Sequence, residues 1–337
     1  MDQNSFTAPV TLREVAERVG VTQSTASAVL NGTRSGTRVS EKTRIALTEA
    51  AAAMGYRPNE LARSLTSRRT RLVGFFAHFQ YLSAENGFLS ELVGGIQEAT
   101  SASQNDLVLR SVPDESSSQR IVDSLADRRV DGIVCLAPQD PTLVQQLGQA
   151  GVPVVAVVDQ SPFVPSIIVD DKEGGRLLAR HLAERGVQTV IYRDWFAPPI
   201  SGQNRRFGFE SAARDLGIRV FEGRRLREHD LAEPLPEEID IINRHGRVAI
   251  ACWSDDGAYA TCNALAALGY QIPDQVLVTG YNGVPVHFTP RWDLTTVTAP
   301  WRRVGEVAVE ALLARIAGNT TLPHLTLPVA LRVGGTT

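Results

Sequence analysis

Small polar side chains early in the chain have the chemistry needed to read base pairs in duplex DNA. Gln23, Ser24 and Ser27 fall on one face of a predicted helix. Glutamine can form paired hydrogen bonds to the edge of adenine, and a serine hydroxyl can contact several base edges. Thr25 and Asn31 are better suited to phosphate oxygens, contacts that position a protein on DNA without reading its sequence. Such contacts require a helix whose polar face is presented to a groove.

Three predicted helices would position these side chains. In the first, apolar residues at positions 12, 15, 16 and 19 form one helical stripe, and Thr11 with Glu14 three residues later predicts a capping box. Gly20 ends this helix, Thr22 can cap the second helix, and a third spans residues 40–55. Two short helices joined by a turn that contains glycine are typical of a helix-turn-helix. The alternative is a three-helix module that binds protein.

Charge is unevenly distributed along the 337 residues of the chain. Residues 1–71 contain 11 Arg and Lys against 6 Asp and Glu, whereas the whole chain has a formal net charge of −3. The first part is therefore basic and the remainder acidic, as expected when only the first part meets a polyanion such as DNA. An accidental imbalance of surface charge is the alternative, so the motifs must decide between them.

A short basic segment follows the predicted three-helix unit. Pro58 suits the first turn of a helix, and Leu61, Ala62 and Leu65 would form an apolar strip on it. An exposed leucine on a marginal helix is unusual for a linker, but it suits a wedge that enters the minor groove and unstacks a base step. The basic run over residues 66–71 suits a linker that follows the DNA backbone.

From residue 72 onward, short β-rich runs alternate with segments of helical spacing, which predicts parallel sheets covered by helices. About ten candidate strands exceed one comfortable sheet, so we expect two α/β lobes. Ligands of such folds bind at the carboxyl ends of strands, here in the cleft between lobes. Asp256 and Asn282 each follow a candidate strand and can accept from hydroxyl groups, while Arg205 offers a rigid fork of donors.

The motifs of common enzyme classes are missing from the sequence. It has no GxGxxG after the first candidate strand, no GxxxxGK(S/T), no HExxH and no GxSxG. The 6 His residues have no metal-ligand spacing and the 3 Cys form no CxxC pair. We therefore expect no catalytic residue, no metal and no cofactor. The first residues lack the layout of a signal peptide and no apolar run approaches the ~20 residues of a membrane span, so we expect a cytoplasmic, nucleoid-associated protein without a membrane partner.

Residues 10–65 resemble the DNA-binding head of the LacI–GalR (lactose-repressor and galactose-repressor) family. The matching segments are VTLREVAERVGVTQSTASAVLNG and RVSEKTRIALTEAAAAMGYRPNELARSL. The resemblance implies that the second helix lies in the major groove, with Gln23 and Ser24 as base readers. It also implies that a hinge helix inserts leucine into the minor groove, with Ala62 and Leu65 as the contacting pair.

Two departures from the family pattern concern the DNA contacts. Ala28 stands where the family often has a base-reading arginine, so one direct guanine contact is missing. The loop over residues 31–39 is also longer than in the shortest members. Arg34 and Arg38 either supply extra phosphate contacts there or are solvated.

The rest of the chain resembles the core of the same family and, in fold, the periplasmic sugar-binding proteins. The matching segments are VDGI, GVPVV, DDKEGG, RRFGF, SDD, GYN and LTTV, which begin at residues 130, 151, 170, 205, 254, 280 and 294. The resemblance implies a two-lobed, periplasmic-binding-protein-like (type I) core. It also implies that the chain crosses between lobes near residues 165, 298 and 325.

The same resemblance implies the residues of a ligand site. Arg205 holds the position of a ligand-contacting arginine, and Phe88 and Trp301 match positions that line the cleft, where Trp301 could stack on a sugar. Weaker candidates are Trp195, Ser201 and Trp253. Ordinary core packing is the alternative for each aromatic residue. Asn282 replaces the aspartate commonly found at its position, which weakens the case for one specific sugar because asparagine also donates and carries no charge.

These observations predict an all-α helix-turn-helix head plus an α/β core with two parallel sheets. We assign the head to residues 1–57, the hinge helix and linker to 58–71, and the effector-binding core to 72–337. The core divides into an N-lobe, about 72–165 and 299–325, and a C-lobe, about 166–298 and 326–337.

The expected function is that of a sequence-specific transcriptional regulator, a repressor, which binds a palindromic double-stranded DNA operator as a homodimer under allosteric control by a small sugar-like molecule. The alternative is a solute-binding or sensor protein with the same core. The predicted DNA contacts are Thr11, Thr22, Gln23, Ser24, Thr25, Ser27, Ala28, Asn31, Arg38, Asn59, Ala62 and Leu65. The predicted effector contacts are Phe88, Ser201, Arg205, Trp253, Asp256, Asn282 and Trp301.

Overall fold

The computed structural model describes residues 9–31, 39–59, 63–64, 69–77, 87–111, 118–136, 141–226, 232–284, 291–319, 321 and 324–337. The chain divides into two compact units, Met1–Arg71 and Leu72–Thr337. Within the described ranges no helix combines the length and apolar character needed to cross a bilayer. The same ranges contain no group of three or more His, Cys, Asp or Glu side chains arranged to hold a metal ion.

The first unit contains the helices α1 (Leu12–Val19), α2 (Gln23–Leu30) and α3 (Glu41–Met54). The predicted capping box of α1 is present, since the Thr11 hydroxyl accepts from the amide of Glu14 and the Glu14 carboxylate accepts from the amide of Thr11 at 2.7 Å. Thr22 caps α2 as predicted. Gly20 ends α1 with φ 74°, a left-handed conformation that glycine adopts without steric cost.

A small apolar core holds the three helices together. Val15 and Ala16 of α1, Ala26 of α2, and Leu47 and Ala51 of α3 are buried against one another. Their spacing along each helix puts them on one face. Three of the five are alanine, and small side chains allow short helices to approach closely. The polar face of α2 is thereby directed away from this core.

The second unit contains two six-stranded sheets, each forming one lobe. The first sheet has the order β11-β5-β4-β3-β1-β2 and is entirely parallel. Its strands are β1 (Leu72–Phe76), β2 (Asp106–Arg110), β3 (Gly132–Leu136), β4 (Val154–Val157), β5 (Ser166–Val169) and β11 (Leu325–Leu327). The helices of this lobe are α4 (Gly87–Ala102), α5 (Ser118–Leu125), α6 (Pro141–Gln149) and α11 (Trp301–Ile316).

The second sheet has the order β12-β10-β9-β8-β6-β7. Its strands are β6 (Thr189–Arg193), β7 (Arg219–Glu222), β8 (Val248–Cys252), β9 (Val276–Asn282), β10 (Thr295–Thr298) and β12 (Ala330–Arg332). Its helices are α7 (Asp171–Glu184), α8 (Ile200–Asp215), α9 (Pro236–His245) and α10 (Asp255–Ala267). The predicted two-lobed α/β architecture is confirmed, with one antiparallel pairing, β10 with β12.

The chain crosses between the sheets after β5, after β10 and between β11 and β12. The first and third crossings lie a few residues beyond the approximate positions predicted near 165 and 325, because β5 and β11 pair with each other in the first sheet, Ile167 opposite Leu325. Ile167 and Val169 are also buried in the core of the first lobe. The first crossing therefore follows Val169, and the third follows Leu327.

Glycines let helices α7 and α8 touch along their backbones. A Cβ on Gly175 would lie 2.1 Å from the carbonyl oxygen of Arg205, and one on Gly208 would lie 2.0 Å from that of Lys172. No other residue fits at such distances without moving a helix. This close packing fixes the start of α8, from which Arg205 projects.

A buried ion pair lies in the second lobe. Arg193, at the end of β6, donates from Nε and Nη2 to the two carboxylate oxygens of Glu238 at 2.9 and 2.8 Å. Its Nη1 donates to the Ala232 carbonyl and to the Thr261 hydroxyl. Both charged side chains are almost completely inaccessible to solvent. A bidentate pair with its remaining donors satisfied is the geometry in which a buried charge pair is tolerated.

Removing one partner of this pair should destabilise the protein strongly. Glu238→Ala leaves the Arg193 guanidinium buried without its counter-charge, so we expect the free energy of unfolding to fall by about 3–5 kcal/mol. Urea unfolding followed by circular dichroism measures the loss. Glu237→Ala is the matched control, because Glu237 is exposed in the same helical turn. Equal effects of the two substitutions would contradict a structural role for the pair.

Candidate functional site

The first turn of α2 carries an exposed polar surface. Gln23 and Ser24 are exposed, while Thr25 is half-buried. The Thr22 hydroxyl lies 2.9 Å from that of Ser24 and 2.8 Å from that of Thr25, and it also accepts from the Thr25 amide. Thr22 therefore holds the start of the helix, and the Gln23 side chain extends beyond it from a fixed backbone.

The last turn of α2 carries the other predicted contacts of this helix. Ser27, Ala28 and Asn31 are half-buried, and the Asn31 side-chain amide donates to the Ser27 hydroxyl at 3.3 Å. Thr11 and Asn59 are exposed, at the start of α1 and after α3. The predicted contacts Arg38, Ala62 and Leu65 lie outside the described residues.

Arg205 is the centre of a buried polar cluster in the core. Only 3% of the residue is exposed, and its Nε donates to the Asp171 carboxylate at 2.8 Å. Its Nη1 donates to the Trp253 carbonyl at 3.0 Å, and its guanidinium lies 3.9 Å from the centre of the Tyr281 ring. The arginine thus links the starts of α7 and α8 with the ends of β8 and β9.

Two buried carboxyl groups surround this arginine. Burial raises the pKa of Asp171 to about 6, although Arg205 opposes the shift. Asp159, which follows β4 in the first lobe, accepts from the Ser201 amide of the second lobe at 2.7 Å. Burial also raises the pKa of Asp159, again against the attraction of Arg205. The contact between Asp159 and Ser201 joins the two lobes beside Arg205.

A second group of predicted residues meets at the crossing that follows β10. Trp301, 2% exposed, packs against Phe88 with ring centres 4.5 Å apart and an interplanar angle of 78°. The Asn282 carbonyl accepts from the amide of Ala299, whose carbonyl accepts from the amide of Trp301. The side-chain Nε1 of Trp301 and Oδ1 of Asn282 are buried, with no partner among the described residues. A hydroxyl group both donates and accepts, so it has the chemistry to pair with either atom.

Two adjacent aspartates, Asp255 and the predicted contact Asp256, begin α10. Asp256 is exposed in the first turn of α10, whereas its neighbour Asp255 is buried. The Asp255 carboxylate accepts from the amides of Gly283, at 2.8 Å, and Val284 and from the Thr296 hydroxyl. It therefore holds the turn that follows Asn282, and Val284 packs against the core of the first lobe.

The structure brings the predicted effector residues together in two groups. Ser201, Arg205 and Trp253 form the first, and Phe88, Asn282 and Trp301 form the second. Arg205 contacts Tyr281, which immediately precedes Asn282, so the groups meet at the end of β9. Asp159, Asp171 and Asp255 were not among the predicted contacts, because each acquires its role from partners far away in the sequence. For Asp171 and Asp255, the only signal in the sequence is that each belongs to a pair of adjacent aspartates, which begin at residues 170 and 255. The sequence does not show which aspartate of each pair faces inward.

Asp255 should make stability depend on pH. Burial raises its pKa to about 7, above the value near 3.9 expected in the unfolded chain. The unfolded chain loses this proton first, so the stabilisation is complete at low pH and is lost as the pH rises through about 7. Asparagine does not titrate, so Asp255→Asn should gain stability relative to the wild type between about pH 5 and about pH 8.

Thermal unfolding of the two proteins at both pH values measures this change. Asp274→Asn is the control, since Asp274 is exposed and is not among the groups that contact Asp255. We expect the Tm difference between Asp274→Asn and the wild type to change much less between the two pH values. A constant difference for Asp255→Asn as well would show that Asp255 is ionised in the folded protein throughout this range.

Comparison with known proteins identifies both units. The model of the bacterial regulatory proteins of the lacI family matches residues 11–59, and that of the periplasmic binding protein-like domain matches residues 179–337. The HTH-type transcriptional repressor PurR of Pectobacterium carotovorum is 30% identical over 327 residues, which are 94% of this chain and 93% of PurR. PurR of Vibrio cholerae is 30% identical over 316 residues, 91% of each protein.

Solved structures of regulators have the same architecture. The Lac repressor dimer bound to operator and the anti-inducer ONPF is 25% identical, with a TM-score of 0.83, and covers 98% of this chain and 99% of its own. The complex of the transcriptional regulator CelR with cellobiose is 29% identical, with a TM-score of 0.70. The match covers 97% of this chain and 100% of the CelR chain. These relatives are transcriptional regulators and span nearly the full length of the chain. With a capped helix-turn-helix followed by two α/β lobes joined at three crossings, this chain belongs to the LacI family of bacterial transcriptional regulators.

Proposed function

We propose that this protein is a cytoplasmic, sequence-specific repressor that binds a palindromic operator as a homodimer and responds to an uncharged, sugar-like effector between the lobes of its core. The observation that carries the DNA-binding part is the exposed Gln23–Ser24 surface on the capped first turn of α2. A glutamine on a rigid backbone can form two hydrogen bonds to one adenine without first being ordered. Ala28 in the same helix offers a methyl group, which suits contact with the methyl group of thymine.

We propose a homodimer because one helix-turn-helix contacts only a short stretch of DNA. The second helix of a helix-turn-helix reads one half-site, and two-fold symmetry of the protein matches an inverted repeat in the DNA. The Lac repressor, similar over 98% of this chain, has been solved as a dimer on its operator. We place Ala62 and Leu65, from each copy, in the minor groove at the centre of the operator, where a pyrimidine–purine step unstacks most easily.

The charges around Arg205 favour an uncharged effector. One guanidinium faces two buried carboxyl groups, those of Asp159 and Asp171. An anionic group such as a phosphate would meet no excess positive charge there, and its desolvation would be uncompensated. Trp301 Nε1 and Asn282 Oδ1, which have no partner within the described part of the core, instead suit a hydroxyl group. CelR has been solved with cellobiose, an uncharged sugar, which supports this class.

The lobe crossings provide a route from effector to DNA. Asn282 and Trp301 lie on either side of the second crossing, and Ser201 contacts Asp159 across the lobes. An effector held by these residues would change the angle between the lobes and hence the spacing of the two heads of a dimer. Coupling of this kind changes operator affinity by about 5- to 150-fold.

The overall proposal is tested by selecting bound duplexes from a randomised DNA library with the purified full chain at fixed salt. Enrichment of an inverted repeat is expected, with half-sites set by the two-fold symmetry of the dimer. The enriched duplex is then titrated with the protein in the presence of a panel of sugars. Failure to enrich any sequence would overturn the repressor function and favour a solute sensor with the same core.

Gln23 should read one base pair in each half-site. Gln23→Ala removes the paired hydrogen bonds to that base, so we expect discrimination at one symmetric position to fall by about 1–3 kcal/mol. Competition between the enriched duplex and its single-base variants measures the loss. Thr48→Ala is the control, since Thr48 is exposed on α3 and donates back to the Arg44 carbonyl. Unchanged base preference in Gln23→Ala would remove this residue from the readout.

Arg205 should be required for the effector response. Arg205→Ala removes its donors and leaves Asp171 unpaired, so the effector-dependent change in operator affinity should be lost. Fluorescence anisotropy of a labelled operator with added effector measures it, and a thermal unfolding curve checks that the variant is folded. Arg214→Ala is the control, because Arg214 is exposed on the same helix. A wild-type response in Arg205→Ala would place the effector elsewhere.

A further inference from the structure

Two tryptophans form an aromatic surface beside Arg205. We infer that Trp195 and Trp253 form a second subsite, which binds the second ring of an effector with at least two sugar rings. The inference rests on the proposed sugar-like effector, and it names the size of that molecule. We call the surface formed by these two indole rings the tryptophan shelf.

The tryptophan shelf lies at the carboxyl ends of two adjacent strands. Trp253 follows β8, and its amide donates to the carbonyl of Arg193, the last residue of β6. Trp195 forms a parallel bridge with Leu226, and its amide donates to the Asp194 carboxylate at 2.9 Å. The backbone beneath both rings is therefore fixed. The carboxyl ends of parallel strands are where α/β folds bind ligands.

The shape of the shelf favours a sugar ring over a planar base. The two ring centres are 5.3 Å apart and the planes are inclined at 38°, so the indoles contact each other and leave no parallel slot for a base to enter. They form one continuous, bent surface. The non-planar carbon face of a sugar ring can rest on such a surface, with its hydroxyl groups directed to the rim.

The shelf is continuous with the proposed effector site. The Arg205 guanidinium carbon lies 5.6 Å from the centre of the Trp253 ring, and Arg205 also donates to the Trp253 carbonyl. A sugar hydrogen-bonded to Arg205 would therefore have the shelf directly beside it. A second ring joined to that sugar would lie next to Trp253.

The exposure of the shelf distinguishes it from core packing. Trp301 is completely buried, whereas Trp195 and Trp253 are half-buried. The neighbouring Phe196 and Ile200 are 51% and 49% exposed, so apolar surface continues outward from the shelf. Solvent-accessible indoles beside a buried arginine have the amphipathic character that sugar binding requires. The CelR relative was solved with cellobiose, which has two rings.

The inference is tested by calorimetric titration of the full chain with matched sugars. Cellobiose, maltose, lactose and trehalose represent two rings, and glucose, galactose and ribose represent one. We expect the best two-ring sugar to bind at least about tenfold more tightly than the best single sugar. Trp195→Ala should remove most of this advantage while changing the affinity for the single sugar by less than about twofold.

Two further variants keep the test decisive. Trp195→Phe keeps an aromatic ring of smaller area, so it should lose part of the preference for two-ring sugars. If Trp195→Ala fails to fold, Trp195→Phe still tests the role of Trp195. Trp292→Phe is the matched control, because Trp292 is also half-buried and its Nε1 donates to Asn263 at 3.0 Å. Binding should quench tryptophan fluorescence in the control and less in Trp195→Phe.

The possible results distinguish failure of the subsite from failure of the proposed effector class. If single sugars bind as tightly as two-ring sugars, or if Trp195→Ala weakens both equally, the subsite is wrong and the sugar effector stands. If adenosine or inosine binds in a way that depends on Trp195, the occupant is a base and the inference is overturned. If no sugar binds at all, the proposed effector class fails and the subsite fails with it.

Discussion

A buried guanidinium must be paired, and in this protein that requirement organises the core. Arg205 obtains its counter-charge from Asp171 and an acceptor from the Trp253 carbonyl, and its face lies on the Tyr281 ring. These partners come from α7, the end of β8 and the end of β9, so the arginine is satisfied only when all three elements are in place. Without a Cβ on Gly175, helix α7 approaches the Arg205 backbone closely enough to supply the carboxylate.

The helix-turn-helix head buries too little apolar area to be stabilised by burial alone. Its five core side chains include three alanines, and short helices are marginal without support at their ends. Thr11, Thr22 and Ser40 each accept from a backbone amide in the first turn of their helix. The caps therefore stabilise the helices and hold the first turn of α2 in the orientation from which Gln23 projects.

The two lobes repeat one architecture but bring different chemistry to their boundary. The first lobe offers Asp159, Phe88 and Trp301, while the second offers Ser201, Arg205 and Asn282. A ligand that contacts residues of both lobes, as the proposed function requires, would bind one angle between the lobes more tightly than others. This is the physical basis on which binding in the core is expected to change the affinity of the heads for DNA.

Local patterns in the sequence determined the helices of the head, their caps and the alternation of strands and helices in the core. Capping and periodicity act over three or four residues, so Thr11, Glu14 and Gly20 reveal their roles without knowledge of the fold. Such local patterns do not predict which distant strands or side chains pair with each other. Only the tertiary structure decided that β5 pairs with β11, that Asp255 and not Asp256 faces inward, and that Trp195 contacts Trp253. Each of these contacts joins segments that are distant in sequence and meet only when the sheets have formed. The residues next to a side chain in the sequence do not indicate which distant residue it will contact.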